Sequence, residues 1–104
     1  MEFREIFRLR EMMRDAGIPC EFMTMKNEWL GGYQLCYPER SEKMVCSVVE
    51  HRYSYGNYDD RLEMMGLLTE EEAKIDSVVG WLTAEDVFLR IGEHWAEHKE
   101  KMNG

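Results

Sequence analysis

The sequence predicts a single α+β domain, with a helix at each end of the chain and an antiparallel sheet between them. Apolar residues recur at helical spacing near both termini, and alternation typical of strands fills the middle. The length of 104 residues suffices for one hydrophobic core. The predicted architecture over residues 1–104 is an N-terminal helix, a three-stranded antiparallel meander, short helices, a fourth strand or extended segment, and a C-terminal helix.

The N-terminal helix is predicted from one largely apolar stripe. Its members recur at steps of three and four residues: Phe3, Ile6, Phe7, Arg10, Met13, and Ala16 or Gly17. Gly17 is expected to end the helix, because glycine accepts left-handed backbone at a helix C-terminus. Pro19 cannot continue a helix, so the chain is expected to leave it there.

Three strands are predicted to follow, over residues 18–25, 33–37 and 44–55. The third is the longest, and its valines and tyrosines favour β structure. The glycine-containing segment 26–32 and the polar segment 39–43 are typical of turns. Connections this short favour an antiparallel meander.

The two faces of this sheet carry different side chains. A hairpin turning about Ser41 would place Tyr33 and Tyr37 on the face of Val49 and His51, with Glu50 on the opposite, wetter face. One interpretation is that the tyrosine face is the core and lies under the helices. The other is that the helices cover the face with methionine and cysteine, which leaves the tyrosines for a partner.

The second half of the chain is predicted to be mostly helical. Residues 59–65 are expected to form a short helix that Gly66 ends, and residues 69–72 form a capping box that starts another. Residues 77–82 are apolar and β-rich. Thr83 is the predicted N-cap of the last helix. The core stripe of that helix is predicted to be Ala84, Val87, Phe88, Ile91, Trp95, His98 and Met102.

Composition excludes several classes of function. The formal net charge is −8, and residues 59–104 hold five basic against twelve acidic side chains, so direct binding of nucleic acid or anionic lipid is not expected. No apolar run is long enough for a membrane span, and the N-terminus lacks the pattern of a secretory signal. Three cysteines without C-x-x-C spacing indicate free thiols and a cytoplasmic protein.

The sharpest motif is His94-Trp-Ala-Glu-His98, which matches the inverted zincin signature H-x-x-E-H. Histidines at i and i+4 share a helix face suited to zinc, with Glu97 as general base. The third ligand would have to be Glu93, His51 or a cysteine. The alternative is a helix end where histidine favours the C-terminal dipole and neighbouring apolar residues cover His98.

A cysteine nucleophile is a second catalytic hypothesis. His51 would act as base toward Cys36 or Cys46, but strand parity places Cys46 on the other face. Neither constellation is complete, so the sequence favours a protein that is not an enzyme. No catalytic residue and no cofactor is assigned.

The predicted function is therefore that of a small acidic binding module, which engages a protein partner. That partner is another protein or a second copy of the chain. Tyrosines suit binding surfaces, and the acids suit a basic partner or imitate a phosphate backbone in a nucleic-acid-binding site. The predicted contact residues are Tyr33, Tyr37, His51, Tyr53, Tyr55, Asp59 and Asp60. The alternatives are a small-ligand-binding protein, with a pocket of Tyr33, Tyr53 and His51, or a zinc-dependent hydrolase using His94 and His98.

Three stretches of the C-terminal half carry a resemblance: SVVEHRYSYG at 47–56, DRLEMMGLLT at 60–69 and DSVVGWLTAEDVF at 76–88. They are similar to small uncharacterised proteins of phages and prophages in gut Firmicutes. The resemblance implies a bacterial cytoplasm and a gene of a mobile element, and it implies no catalytic residues. The opening αβββα order is also that of a double-stranded-RNA-binding domain, but the basic residues which that function needs are missing.

Overall fold

The structure is a computed structural model, and it describes residues 4–26, 31–51 and 61–102. Its elements are α1 (Arg4–Asp15), β1 (Glu21–Lys26), β2 (Gly31–Tyr37), β3 (Cys46–His51), β4 (Leu62–Met65), α2 (Glu70–Ile75), β5 (Val78–Leu82) and α3 (Ala84–Met102). The α+β class, both terminal helices and the strand meander are therefore confirmed. Within the described ranges, no helix combines the length and apolarity that crossing a bilayer requires.

The strands form one antiparallel sheet in the order β1-β2-β3-β4-β5, so β1 and β5 are its edges. The helix predicted over residues 59–65 is wrong, because Leu62–Met65 is a strand that pairs with both β3 and β5. Leu62 and Met64 are fully buried, whereas Met65 is 48% exposed. This alternation has the period of a strand, and the tertiary pairing outweighs the helix-start signal of the nearby acids.

The pairing of β2 with β3 is centred between Ser41 and Glu42, half a residue later than the predicted centre at Ser41. Tyr37 pairs with Cys46 and Tyr33 with Glu50, so the tyrosines share a face with Cys46 and Glu50 rather than with Val49. A shift of one residue in pairing moves every side chain of a strand to the other face. The predicted placement of Tyr33 and Tyr37 beside Val49 and His51 is therefore wrong.

Helices α1 and α3 pack against each other and cover one face of the sheet. The core includes their inward residues and the facing strand residues: Ile6, Leu9, Met13, Ile18, Leu35, Tyr37, Cys46, Val48, Leu62, Met64, Leu82, Ala84, Val87 and Ile91. The covered face thus combines the β2 residues of one interpretation with the β3 residues of the other. The covered face contains the tyrosines of β2 together with Cys46 and Val48 of β3.

The C-terminus of α1 closes as the sequence predicts. The N–H of Gly17 donates to the carbonyl of Arg14 at 3.1 Å, and that of Ile18 donates to Met13 at 3.0 Å. Gly17 has φ of 69°, so the turn has the pattern of a Schellman motif. Strand β1 consequently begins at Glu21 rather than at residue 18.

Two buried glutamates tie the start of each long helix to a distant part of the chain. Glu50, predicted to lie on the wetter face, is fully buried and accepts a hydrogen bond from the first-turn N–H of Ile6 at 3.2 Å. Glu5 is 5% exposed and accepts one from the first-turn N–H of Ala84 at 2.6 Å. The first N–H groups of a helix lack partners within the helix, so these carboxylates act as caps supplied from outside it.

The buried stripe of α1 differs from the predicted one. Glu5, Ile6, Leu9 and Met13 are buried, whereas Phe7 is 37% exposed and Arg10 is exposed. The Glu5 carboxylate, which caps α3, belongs to the inward face, and this places Phe7 and Arg10 at its border beside β1. Both residues line a cleft between α1 and the start of β1.

Candidate functional site

The predicted zinc motif lies on α3, against the end of β2. The hydroxyl of Tyr37 lies 2.7 Å from Nδ1 of His94. The imidazoles of His94 and His98 stack with centroids 4.2 Å apart and planes 17° apart. Nδ1 of His98 lies 2.9 Å from the carbonyl oxygen of His94, to which it donates. Each histidine therefore has one ring nitrogen engaged in a hydrogen bond.

The surroundings of Tyr37 and His94 determine which of the two donates the hydrogen bond between them. Burial raises the pKa of Tyr37 to about 12, so its hydroxyl keeps its proton. Burial and the neighbouring His98 lower the pKa of His94, although Glu97 opposes this shift. Near neutral pH the Tyr37 hydroxyl therefore donates to an unprotonated Nδ1 of His94.

The stacked rings do not present a zinc site in this arrangement. The lone pair of an imidazole nitrogen lies in the plane of its ring, and two nearly parallel planes do not converge on one ion at zinc–nitrogen distance. Within residues 4–26, 31–51 and 61–102, no group of three or more His, Cys, Asp or Glu side chains could hold a metal ion. In this arrangement His94 and His98 form hydrogen bonds within the protein and do not converge on a common metal position.

The three cysteines are free thiols in environments that favour the protonated form. Burial raises the pKa of Cys46 to about 12, and it raises the pKa of Cys20 and Cys36 as well. The nucleophilic form of cysteine is the thiolate, so these environments do not activate it near neutral pH.

The predicted contact residues are not gathered into one described surface. Tyr37 is fully buried, and Tyr33 is half-buried with its ring stacked on Phe22 at 5.6 Å between centroids. Tyr53, Tyr55, Asp59 and Asp60 lie outside the described residues, as does the side chain of His51. The tyrosines of β2 thus belong to the packing of the helices on the sheet.

Several acids of the second half serve as helix caps. Thr69 and Glu72 form a complete capping box at the start of α2, as predicted. At the start of α3, the N–H of Thr83 donates to the carboxylate of Asp86 at 3.0 Å, and the N–H of Asp86 donates to the hydroxyl oxygen of Thr83 at 3.1 Å. Glu72 also receives two hydrogen bonds from Arg90, at 2.7 and 2.9 Å. This ion pair fastens α2 to α3.

We expect the Glu72–Arg90 pair to make the protein sensitive to acid. The Arg90 bond, followed by the backbone bond at Thr69, lowers the pKa of Glu72 from 4.5 to about 2. A lowered pKa in the folded state gives stability above pH 4.5 that is lost as the pH falls toward 2. Because the side chain is 25% exposed, we expect a contribution of about 1–2 kcal/mol.

The comparison of wild type with Glu72→Gln measures this contribution. Glutamine keeps the cap at Thr69 and loses the charge opposite Arg90. In urea unfolding the wild type is expected to be the more stable at pH 7, and the two proteins are expected to converge near pH 2. A difference that stays constant across this range would contradict the assignment.

Sequence reasoning missed the exposed apolar residues within positions 70–93, and the exposed residues of this segment are named here the α2–β5–α3 surface. Three of its large apolar residues are exposed: Ile75 at 88%, Trp81 at 59% and Leu89 at 64%. Trp81 has φ of 63°, in the left-handed region that bulky residues rarely adopt. It lies on the edge strand β5, directly before α3.

Comparison of the chain with family models, curated proteins and solved structures gives no match. Its function is therefore argued from the chemistry of its own surfaces.

One feature of the sequence does point to the α2–β5–α3 surface. On α3, Leu89 stands one helical turn from Glu85, Asp86 and Glu93, so it is an apolar residue within an acidic face. Periodicity places it outside the predicted core stripe. No feature of the sequence predicts left-handed backbone at Trp81. The neighbouring Gly80 is the residue expected to adopt that conformation, but the structure places it at Trp81.

Proposed function

We propose that this protein is a non-catalytic binding module that contacts a basic protein partner through the α2–β5–α3 surface. The observation that carries the proposal is the exposed Trp81 in left-handed backbone on an edge strand. Strained backbone persists where the surrounding structure enforces it, and it is concentrated at functional sites. Tryptophan is also the residue type most enriched among the anchors of protein interfaces.

The charge of this surface supports a basic partner. Residues 70–93 hold seven acidic and two basic side chains. Arg90 is one of the two cations, and Glu72 already engages it. Glu70, Glu71, Asp76 and Glu93 are exposed and form no ion pair with any described residue. An exposed apolar anchor within an acidic segment complements a partner surface that is both apolar and basic.

The same charge disfavours a second copy as the partner. Each chain carries a net charge of −8, so pairing two α2–β5–α3 surfaces would bring like charges together. In its most specific form, the proposal is that the partner's contact site is one that otherwise binds nucleic acid. We propose with it a phage or prophage origin, which the resemblance in the sequence implies, because a protein of a mobile element gains from occupying a site of its host.

A competition experiment tests the proposal and does not require that the partner be identified first. Immobilised wild-type protein is incubated with bacterial lysate, and soluble competitors are added before washing. Wild type and Met44→Ala, which changes an apolar residue elsewhere that is 37% exposed, are expected to displace the captured protein equally. Trp81→Gly is expected to displace it at least about 100-fold less well. Equal displacement by Trp81→Gly would rule out this surface.

Ionic strength supplies a second readout. Association through the exposed acids of residues 70–93 is expected to weaken about tenfold or more between about 0.05 and 0.5 M salt, because screening suppresses attraction between exposed charges. Capture that is insensitive to salt would contradict a basic partner, even if Trp81 proved to be the anchor.

The backbone strain at Trp81 makes a separate prediction about stability. Trp81→Gly and Trp81→Ala remove the same indole, but only glycine accepts φ of 63° without cost. We expect Trp81→Gly to be the more stable of the two by about 1 kcal/mol in urea unfolding. In an ordinary strand position alanine would be the more stable, so the sign of the difference decides the point.

A further inference from the structure

A cleft lies between α1 and the start of β1, away from the α2–β5–α3 surface. It has a volume of about 700 Å³, within the range of small-molecule sites. Its wall on α1 includes Phe7, Arg10 and Arg14, and the opposite side includes Cys20 and Phe22. The site is distinct from the proposed partner surface and does not depend on it.

The apolar part of the cleft is an aromatic cluster. The ring centroids of Phe7 and Phe22 lie 5.6 Å apart, and both rings contact Tyr33, at 4.6 and 5.6 Å. Mutual contact holds the three rings in place, and Phe7 is left 37% exposed. A planar or apolar ligand body could therefore pack against a surface that is already ordered.

The charged part of the cleft is Arg10. Its guanidinium lies 4.5 Å from the centroid of the Phe22 ring. Arg8 and Arg90 are engaged by carboxylates, whereas Arg10 forms no ion pair with any residue in the described ranges. Stacking fixes the plane of a guanidinium and leaves its N–H edge available for a planar anion.

The other charges around the cleft limit the kind of anion. Arg14 lies 3.4 Å from Asp15 and is mostly exposed, and Glu11 adds a negative charge on the same helix. Glu21 also lines the cleft, although it pairs with Cys36 in the strand register and its charge raises the pKa of that thiol. Arg10 lies in a cleft that Glu11 and Glu21 also line, and a cation near two carboxylates suits a singly charged anion better than a phosphate.

We propose that the cleft between α1 and β1 binds a small monocarboxylate with an aromatic or alkyl body. Arg10 pairs with the carboxylate, and Phe7 and Phe22 contact the body. A second cleft, lined by Leu67, Arg90 and His94, lacks this combination because Glu72 already occupies Arg90.

The test is an NMR titration of the ¹⁵N-labelled full chain with 2-naphthoate and with the uncharged 2-naphthalenemethanol. Amide shifts are expected to fall within residues 7–22 and to saturate below about 5 mM naphthoate, with the alcohol at least about tenfold weaker. This comparison uses only the wild-type protein, so it stands whether or not any variant folds. Equal binding of acid and alcohol, or no shifts in this region, would overturn the proposal.

A pair of variants assigns the carboxylate to its partner. Arg10→Met keeps an apolar stem over Phe22 and removes the charge, and it is expected to weaken naphthoate at least about tenfold while leaving the alcohol unchanged. Arg40→Met removes a cation outside the cleft and is expected to change neither ligand. If Arg10→Met bound naphthoate as tightly as wild type, the assignment of the anion site would fail.

Discussion

Replacing Gly66 by alanine is expected to lower the free energy of unfolding by more than about 3 kcal/mol. Gly66 follows β4 and has φ of 94°, which L residues rarely adopt. A Cβ at this position would lie 2.3 Å from the carbonyl oxygen of Val45 and 2.9 Å from Cα of Cys46. Both are backbone atoms at the start of β3, so they cannot move aside without disturbing the central strand. Urea unfolding followed by circular dichroism measures the loss.

Gly17→Ala is the matched control, because it separates the contact from the conformation. Gly17 also has positive φ, at 69°, but nothing lies within 4 Å of the position its Cβ would take. We expect this variant to lose only about 1 kcal/mol. Equal losses for the two variants would mean that backbone conformation alone explains Gly66, and that the chain adjusts easily around β3.

Gly17 and Gly66 show which features of the fold can be predicted from the sequence and which cannot. The sequence predicts that Gly17 ends a helix, and it does so in a Schellman turn. The same prediction for Gly66 is wrong, because Gly66 ends strand β4. A glycine after a short apolar segment indicates left-handed backbone in both cases. It does not tell which element precedes the turn, because that depends on whether neighbouring strands are present to pair with it.

Features encoded within a few residues can be predicted correctly. The capping box at Thr69 and the N-cap at Thr83 need only side chains three positions apart, and both are present. The terminal helices follow from periodicity over several turns. Features that depend on distant residues cannot be predicted in this way. The partner of Glu50 is the N–H of Ile6, and nothing near residue 50 indicates that a helix begins there.

The hairpin register is the clearest case of this limit. Strand composition identifies β2 and β3, but the position of the turn between them differs by half a residue from the predicted one. This small change shifts the pairing by one residue, so that the opposite set of β3 side chains shares a face with the tyrosines of β2. It therefore places Tyr33 and Tyr37 on the face of Cys46 and Val48, which the helices cover, rather than on the face of Val49. The chemistry of a site depends on register more strongly than on element identity.

The second large effect is expected at Glu5. Glu5→Ala removes a carboxylate that accepts from the N–H of Ala84 at 2.6 Å and from Arg8 at 2.7 Å. Because Glu5 is 5% exposed, water cannot readily replace it at the buried N-terminus of α3. Among the described residues, Arg8 would keep its contact with Glu85. We expect a loss of about 3 kcal/mol, as for other buried charged groups deprived of a partner.

Two further variants distinguish a cap from ordinary packing. Glu5→Gln keeps an oxygen for Ala84 but turns an amide toward Arg8, so about half of the loss is expected. Glu11→Ala changes an exposed glutamate of the same helix and is expected to cost under about 0.5 kcal/mol. Hydrogen exchange of the first-turn amides of α3 should accelerate in Glu5→Ala beyond the global change in stability. If exchange there simply follows global unfolding, Glu5 acts on the whole core rather than at the start of α3. Faster local exchange would identify Glu5 as the residue that couples the two long helices.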